Sequence, residues 1–448
     1  MVWAWHLDGY GYFASIALNS SRAAQHLLEG QGFAVDREGM PVVAEAQNAY
    51  GVLIEPLFYP PLSANVEPVL GYMPGYVLGV AAVFSLVEAQ YFPVRLVQAL
   101  VDSAACVLLF SLAWQMLGLG VARVAGVLYA LWPPIAVSSV LAHADAFMVP
   151  LTVFMLWAVW RAVKGGGYRW WLLSALVVAA QSYFRPTVLL FAPFLAAASF
   201  ASAEKNRWKS ATVVFVLTTI VIGSCLLPWG FYNWQRTGHF LLTSTSAGWA
   251  LWAALGECQN PWGVVVDDQY MQARLAEKGY RWHSVEADQF LKREFTKAFM
   301  EHPLFYAKTY ALRFAKVLFP RHFWGFVPEV TPEGVQSFMQ REGMVLGAVL
   351  YFQSYARPFV ERLLNLILQG FDWVLLGVAA AGGVLLWRQN RRRALTVACL
   401  PFAYFLLTGP IMHVEPRYIL PMEITYVLLA SVALREWWNA SKPLGRAS

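Results

Sequence analysis

Residues 95–116 read RLVQALVDSAACVLLFSLAWQM, which is apolar over almost its whole length. A helix of this length spans about 30 Å, the thickness of the hydrocarbon core of a bilayer. The polar side chains Arg95, Gln98 and Asp102 are spaced i, i+3 and i+7, so they share one helix face near the beginning. The stretch predicts a transmembrane helix with a polar face at one end.

The rest of the chain has the same apolar character. Of its 448 residues, 58% are hydrophobic and 13% are charged. An ordinary soluble domain has about 25% charged residues. The four cysteines show no disulfide or zinc framework. The net charge of +6 comes mostly from short loops, which indicates membrane topology, and we expect no nucleic-acid partner.

Apolar runs of similar length recur along the chain and predict an all-α polytopic membrane protein with about nine visible spans. Six fall within residues 95–231 and three within residues 366–448. The predicted spans are 95–116, 122–138, 146–163, 170–184, 187–203, 211–231, 366–387, 394–410 and 419–437.

Lys and Arg residues concentrate at every second connection between these spans, and therefore on one side of the membrane, as at Arg123, Arg161 and Arg388. The positive-inside rule assigns this side to the cytoplasm, together with the C-terminal tail. We therefore predict a multi-pass protein of the plasma (inner) membrane with a periplasmic outer face. Nine spans then place Met1 outside, so we expect that a first span is missing from the chain.

Two long outer segments complete the predicted organisation, residues 1–94 and the large loop 232–365. The first contains a helical pattern that ends at Gly30 and an apolar helix at 74–89 that lies in the interface, or alternatively forms a tenth span. The second contains an amphipathic stretch at 287–319. We therefore divide the chain into four parts, residues 1–94, 95–231, 232–365 and 366–448.

Several ionisable side chains lie at the predicted outer ends of spans, where charge is costly and usually faces a cavity or a partner. Arg185 and Arg417 are the most informative, because both oppose the charge bias. In the alternative, purely structural interpretation, both are arginines at the membrane interface with their guanidinium groups in water. Glu415 is then only an ion-pair partner of Arg417. The other candidates are Asp8, Arg95, Asp102, His143, Asp145, His413 and Tyr418.

Some of these candidates have equally simple structural interpretations. Arg95 and Asp102 are close enough along their helix to pair with each other, and His143 is alternatively a packed histidine. The adjacent acids Asp267 and Asp268 are interpreted as a solvated turn.

Two carboxylates and two or more arginines on one face of a membrane suit group transfer from a lipid phosphate. Guanidinium groups bind phosphate and stabilise the negative charge that develops as it leaves. A carboxylate takes the proton of the attacking hydroxyl. No Gly-rich nucleotide loop is present. Asp8, Asp145 and His143 are residue types that bind divalent metal ions, but their spacing is not diagnostic of a metal site. We therefore assign neither a metal site nor a cofactor.

Eight motifs in order along the chain resemble one family. They are DGYGYF (8–13), HLLEGQGF (26–33), MPGYVLGV (73–80), VRLVQAL (94–100), LWPPIAVSSVLAHADAFMVPL (131–151), SYFRPTVLL (182–190), NWQRTGHFLLTSTSAGWALW (233–252) and HVEPRYILP (413–421). The chain resembles the GT-C superfamily of integral membrane glycosyltransferases. Within it, the chain is similar to the dolichyl-phosphate-mannose–protein mannosyltransferases and the bacterial lipid A aminoarabinose transferases.

The resemblance implies a GT-C-type helical bundle and an inverting transfer of a sugar. The donor would be a polyprenyl-phosphate-linked sugar, and the acceptor a lipid, glycan or protein at the outer face. Asp8 would be the general base, with Tyr12 in support, and Asp145 would assist at the donor or the acceptor. In an alternative register of the first motif, no acid occupies the position of Asp8.

The same resemblance assigns the phosphate site. Arg185, Arg417 and Arg95 would bind the donor phosphate, and Tyr418 would line that pocket. The residues that would support this site are Asp102, His143, His413 and Glu415.

Two other function classes remain open from the sequence, a transporter or flippase of lipid-linked sugars and a non-catalytic subunit of an envelope-assembly complex. A transporter favours internal repeats and ionisable residues near the middle of the bilayer. The sequence shows no repeat and has its acids at the predicted outer ends, which favours an enzyme.

Overall fold

The computed structural model describes residues 12–36, 62, 64–87, 89, 91–141, 143–319, 367 and 370–441. Over these residues the chain is mostly helical, which confirms the prediction of a helical polytopic membrane protein. One small feature was not predicted. Strands β1 (Ala34–Asp36) and β2 (Val66–Pro68) pair antiparallel, with Val35 opposite Glu67. The expected missing first span lies outside the described residues.

The first half of the described chain contains eight helices. They are α1 (Tyr12–Leu28), α2 (Pro74–Phe84), α3 (Tyr91–Leu117), α4 (Leu119–Leu131), α5 (Pro133–Ser138), α6 (Met148–Arg161), α7 (Tyr168–Phe184) and α8 (Ala192–Ser202). Short 3₁₀ turns at Ala144–Phe147 and Pro186–Phe191 lead into α6 and α8.

The second half contains nine further helices within the described residues. They are α9 (Arg207–Thr237), α10 (Ala247–Ala253), α11 (Asp268–Glu277), α12 (Val285–Glu301), α13 (Pro303–Leu318), α14 (Gly370–Arg388), α15 (Arg392–Thr408), α16 (Pro416–Ile419) and α17 (Glu423–Ala440). Short 3₁₀ turns lie at Gly409–Ile411 and Leu420–Met422.

Six stretches of the described chain are long and apolar enough to cross a membrane. They are Phe92–Leu117, Ala144–Gly166, Arg207–Thr237, Gly370–Arg388, Arg392–Ile411 and Pro416–Ala440. Each of the nine predicted spans overlaps a helix, but the remaining helices are shorter, so the count of nine is not confirmed.

The predicted span 122–138 is broken by its own sequence. Trp132 adopts an extended conformation before Pro133, which begins α5. Proline disfavours the helical conformation in the residue before it, and its ring clashes with the preceding turn. The Trp132 indole N–H then donates a hydrogen bond to Glu423 on α17. The break therefore separates α4 from α5 and ties this point of the chain to the C-terminal helix.

Two spans form the centre of the bundle. In the apolar windows of Ala144–Gly166 and Pro416–Ala440, 72% and 78% of residues are buried, whereas the window of α3 is 28% buried. Leu156 and Val427, which are fully buried, belong to the same core cluster. Both central spans begin at the same end of the bundle, which we call the site end because it carries Asp145 and Arg417.

Basic residues concentrate at the opposite end of the bundle. Arg161 ends α6, and Arg388 ends α14. Arg393, at the beginning of α15, donates a hydrogen bond of 2.7 Å to Glu204. This distribution is the one that the predicted orientation requires, and the side of the membrane stays a prediction.

Residues 247–318, here the loop subdomain, pack a core of their own against the site end. Trp252, Met271 and Leu291 are buried in this core. Several hydrogen bonds attach it to the bundle, and two of them come from α13. The Tyr306 hydroxyl donates to the Ile411 carbonyl at 2.8 Å, and the buried Arg313 Nε donates to the Pro410 carbonyl at 2.7 Å.

Gly75 allows α2 to approach α7 closely. A Cβ atom there would lie 2.5 Å from the Tyr183 carbonyl oxygen, whereas at Gly79, one turn later, nothing lies within 4 Å. We expect Gly75→Ala to destabilise the protein by about 1–3 kcal/mol, because the added methyl group would push against the Tyr183 backbone, which cannot move away without disturbing α7. Gly79→Ala is the matched control and should be neutral or stabilising, since alanine favours helices. Apparent unfolding temperatures in detergent measure both, and equal temperatures would contradict the close-contact argument.

Candidate functional site

Asp145 and Arg185 form a buried ion pair at the site end. Arg185 Nε lies 2.6 Å from Asp145 Oδ1, and Arg185 Nη2 lies 2.7 Å from Asp145 Oδ2. The Asp145 side chain is 1% exposed and that of Arg185 is 22% exposed. This is a bidentate fork, the strongest geometry for a guanidinium and a carboxylate. One face of Arg185 therefore remains accessible while its partner is enclosed.

The local sequence explains how both arginines are presented. Arg185 has an extended backbone because Pro186 follows it, and this ends α7. Pro416 occupies the first position of the short helix α16, where its missing N–H is not needed. Arg417 and Tyr418 follow within one turn, so both side chains project from the beginning of the same central span.

His143 fixes the turn that carries Asp145. Its Nδ1 accepts a hydrogen bond of 3.0 Å from the Asp145 backbone N–H. Burial lowers the pKa of His143 to about 4, although Asp145 acts in the opposite direction. The ring is therefore neutral at pH 7, with its proton on Nε2. The 3.4 Å approach of Nδ1 to Asp145 Oδ2 is for this reason not an ion pair.

Arg417 completes the site beside this pair. Its Nε lies 2.7 Å from Glu415 Oε2 and 3.9 Å from Asp145 Oδ2. The Tyr418 hydroxyl donates to Glu415 Oε1 at 2.9 Å. The Tyr418 ring lies 4.7 Å from the Arg185 guanidinium carbon and 5.1 Å from that of Arg417. We call these five residues the arginine cluster.

The two carboxylates of the arginine cluster differ in accessibility. Glu415 is 25% exposed at its side chain, and Asp145 is 1% exposed. Burial alone would raise the pKa of Glu415, but Arg417 first and then His413 lower it below its usual value. Glu415 is thus the ionised and more accessible of the two carboxylates.

His413 contacts the loop subdomain. Its Nδ1 lies 2.6 Å from Glu257 Oε1, and Glu257 also forms an ion pair with Lys316. The His413 backbone N–H donates to the Ala250 carbonyl at 2.9 Å. Burial lowers the pKa of His413. His413 therefore attaches the segment before the arginine cluster to the loop subdomain.

Asp268 was interpreted from the sequence as part of a solvated turn, but it is partly buried. Burial first, and then Glu415, raise the pKa of its carboxyl group, whereas Arg417 lowers it. Burial and Asp268 raise the pKa of the Tyr72 hydroxyl, whereas Arg185 and Arg417 lower it. Sequence reasoning did not select Tyr72 or Asp268, because neither is marked by a local signal.

Two further candidates, Arg95 and Asp102, lie on α3. Arg95 is half-buried on α3, and Asp102 accepts a hydrogen bond of 2.5 Å from the Tyr129 hydroxyl. Gln98, on the same face, donates to the Leu141 carbonyl at 2.7 Å, just before the turn that carries Asp145. Asp8 and the side chain of Tyr12 lie outside the described residues.

No three His, Cys, Asp or Glu side chains within the described ranges are arranged to hold a metal ion. Two of the three possible metal ligands named from the sequence, His143 and Asp145, are adjacent in the structure. The contacts described above are a hydrogen bond that His143 accepts from the Asp145 N–H and the ion pair of Asp145 with Arg185.

In a comparison with known protein families, one part of the chain matches a family. Residues 71–231 match the family of dolichyl-phosphate-mannose-protein mannosyltransferases. No curated protein matches the chain. The matched region contains Asp145 and Arg185 and ends before Arg417. It confirms the resemblance drawn from the sequence motifs and supports a glycosyltransferase of the GT-C type embedded in a membrane.

The buried neutral His143 predicts a dependence of stability on pH. Both the folded and unfolded states carry a neutral histidine above pH 6.5. As the pH falls from 6.5 to 4, only the unfolded state gains this proton, so the folded state loses up to about 3 kcal/mol. Asparagine can accept the same N–H bond without titrating. As the pH falls across this range, the unfolding temperature of His143→Asn should therefore decrease less than that of the wild type.

His283 also has a pKa lowered by burial to about 4, so part of the acid sensitivity should remain in His143→Asn. Scanning fluorimetry of both proteins in detergent, at several pH values, measures the difference. If the unfolding temperature changed equally with pH in the two proteins, this would contradict a lowered pKa of His143 in the folded state.

Proposed function

We propose that the protein is an inverting glycosyltransferase of the plasma membrane. It moves a sugar from a polyprenyl-phosphate-linked donor to a lipid, glycan or protein acceptor at the outer face. Two kinds of observation support this proposal. The mannosyltransferase-like region implies a lipid-linked sugar donor, and the arginine cluster offers two guanidinium groups at one end of an apolar bundle.

The observation that carries the proposal is the shared position of Arg185 and Arg417. Their guanidinium groups lie within 4.7 and 5.1 Å of the same Tyr418 ring, and both are partly exposed. Like charges this close repel each other unless anions lie between them. Asp145 supplies one permanent anion. A lipid phosphate that replaces or joins Glu415 supplies the other.

The contacts assign different roles to the two carboxylates. Asp145 holds Arg185 through two hydrogen bonds and is almost fully enclosed, so we infer that it positions this arginine. In the reaction, the acceptor hydroxyl attacks the sugar carbon from the side opposite the phosphate, and the carbon–oxygen bond to the phosphate breaks. The arginines stabilise the negative charge on the departing phosphate. Asp8 takes the hydroxyl proton.

Glu415 and the lipid phosphate compete for Arg417 in this scheme. We expect Glu415→Gln to bind polyprenyl phosphate several-fold more tightly, because the competing negative charge is removed. Arg417→Gln should bind it about tenfold or more weakly. Arg393→Gln, which removes a cation from the opposite end, is the control and should bind normally. Fluorescence titration of purified protein in detergent gives the affinities, and weaker binding by Glu415→Gln would argue against competition.

The base assignment is tested by turnover. Purified wild type and Asp8→Asn are compared with radiolabelled polyprenyl-phosphate sugars, and both transfer to acceptors and slow donor hydrolysis are scored. We expect Asp8→Asn to lose turnover by 10²-fold or more while it retains donor binding. Retained turnover would remove Asp8 from the reaction. Binding without turnover in the wild type, under every acceptor tried, would favour the transporter or the non-catalytic subunit.

A further inference from the structure

We propose that the connection between α6 and α7 binds the head group of an anionic phospholipid. This connection lies at the end of the bundle opposite to the arginine cluster, and the inference does not depend on the proposed function. Three cations and three indole rings lie there, and we call them the indole–cation cluster. Its members are Trp157, Trp160, Arg161, Lys164, Arg169 and Trp170.

Two arginines of this cluster share one indole ring. The guanidinium carbon of Arg161 lies 5.2 Å from the centre of the Trp157 ring and 5.5 Å from that of Trp170. The guanidinium carbon of Arg169 also lies 5.5 Å from the centre of the Trp170 ring. Cations are attracted to the faces of aromatic rings, so the rings hold both guanidinium groups in place. Both arginines are nevertheless exposed and can contact a ligand.

A third cation follows one turn after Arg161. The ammonium nitrogen of Lys164 lies 5.3 Å from the centre of the Trp160 ring, and Lys164 is also exposed. Trp160 itself is buried, at 5% exposed, so it is part of the packed core of the bundle. The lysine is therefore positioned over a fixed ring, as the arginines are.

A glycine turn brings the two sides of the cluster together. Gly165 has a φ angle of +95°, a conformation that favours glycine. A Cβ atom at Gly166 would lie 2.6 Å from Trp170 Nε1 and 2.6 Å from the Arg161 carbonyl oxygen. The rings of Trp157 on α6 and Trp170 on α7 then meet edge to face, with centres 5.2 Å apart. The tight turn thus fixes the indole rings that carry the arginines.

The indole–cation cluster lacks a counter-charge in the part of the chain that the structure describes. None of its three cations forms an ion pair with a described carboxylate. The sequence explains this, because no Asp or Glu lies between Asp145, at the site end, and Glu204. Glu204 pairs with Arg393. Like charges that gather around neighbouring rings repel each other, so an anion from outside the chain would stabilise the cluster.

An exposed apolar stripe on α7 begins at the cluster. Arg169, Leu172 and Leu176 are spaced i, i+3 and i+7, so they share one face of the helix. The two leucines are 40% and 44% exposed. They lie deeper in the bilayer than Arg169, because α7 runs from this end towards the site end. A phospholipid has the same order of parts, a charged head group followed by acyl chains, and it covers the leucines as a soluble anion cannot.

The charge of the cluster selects among lipid head groups. The fork of a guanidinium group matches two oxygens of a phosphodiester. A zwitterionic head group has a cation of its own, which three further cations would repel, whereas an anionic head group brings none. Basic residues near a membrane surface attract anionic lipids, and indole rings are favoured at the same depth. The cluster therefore fits an anionic phospholipid.

The experiment compares two lipids that carry the same fluorescent acyl chain, phosphatidylglycerol and phosphatidylcholine. Fluorescence anisotropy measures their binding to purified full-length protein in a neutral detergent. We expect the wild type to bind phosphatidylglycerol about tenfold or more tightly than phosphatidylcholine, and added salt to weaken this preference. The double variant Arg161→Gln/Arg169→Gln should lose about tenfold for phosphatidylglycerol and little for phosphatidylcholine.

Three further variants serve as controls. Arg207→Gln removes an exposed arginine at the same end, which donates to the Ala203 carbonyl at 2.9 Å, so it should bind both lipids normally. Arg417→Gln should do the same, because it changes only the arginine cluster. Arg161→Lys keeps the charge without the planar fork and should lose part of the affinity for phosphatidylglycerol. Unfolding temperatures show which variants are folded, and Arg161→Lys carries the test if the double variant is not.

Equal affinities of the wild type for the two lipids would overturn the proposal. So would an equal loss in the double variant and in Arg207→Gln, because the attraction would then belong to the whole basic end. A loss in Arg417→Gln would assign the lipid to the arginine cluster instead. Displacement of phosphatidylglycerol by millimolar inorganic phosphate would show that a free anion suffices, which also overturns a lipid site.

Discussion

The enclosed ion pair of Asp145 and Arg185 is the interaction on which the rest of the site depends. A carboxylate buried at the end of an apolar bundle is costly, and its loss of hydration is offset only by a partner of good geometry. Arg185 provides that partner through two short hydrogen bonds. Because Asp145 precedes α6 and Arg185 follows α7, the pair also fixes the relative position of these two helices. Tyr418 then stacks against an arginine that is already in place.

A second pair, Glu415 and Arg417, has the same chemistry with a more exposed carboxylate. The Glu415 side chain is 25% exposed, and Arg417 Nε lies 2.7 Å from Glu415 Oε2. Water therefore reaches the Glu415 carboxylate more easily than the enclosed carboxylate of Asp145. This difference between the two carboxylates is the reason why we propose that a lipid phosphate competes with Glu415 and leaves Asp145 in place.

The site is assembled from three parts of the chain. The mannosyltransferase-like region, residues 71–231, supplies Asp145 and Arg185, and the C-terminal segment supplies Glu415 and Arg417. The loop subdomain holds that C-terminal segment through the contact of Glu257 with His413 and through Arg313, which donates to the Pro410 carbonyl. The loop subdomain therefore contacts the segment immediately before Glu415 and Arg417.

The sequence by itself determined the helical membrane class and the basic end of the bundle, and it singled out Arg185 and Arg417, which the structure brings together at the Tyr418 ring. These features depend on local composition, because an apolar run or a misplaced charge has the same cost wherever it lies. Tertiary structure decided which side chains meet. It paired His413 with Glu257, and it placed both arginines against the Tyr418 ring. These contacts join segments that are distant along the chain, and such contacts leave no periodic or compositional signal in the sequence.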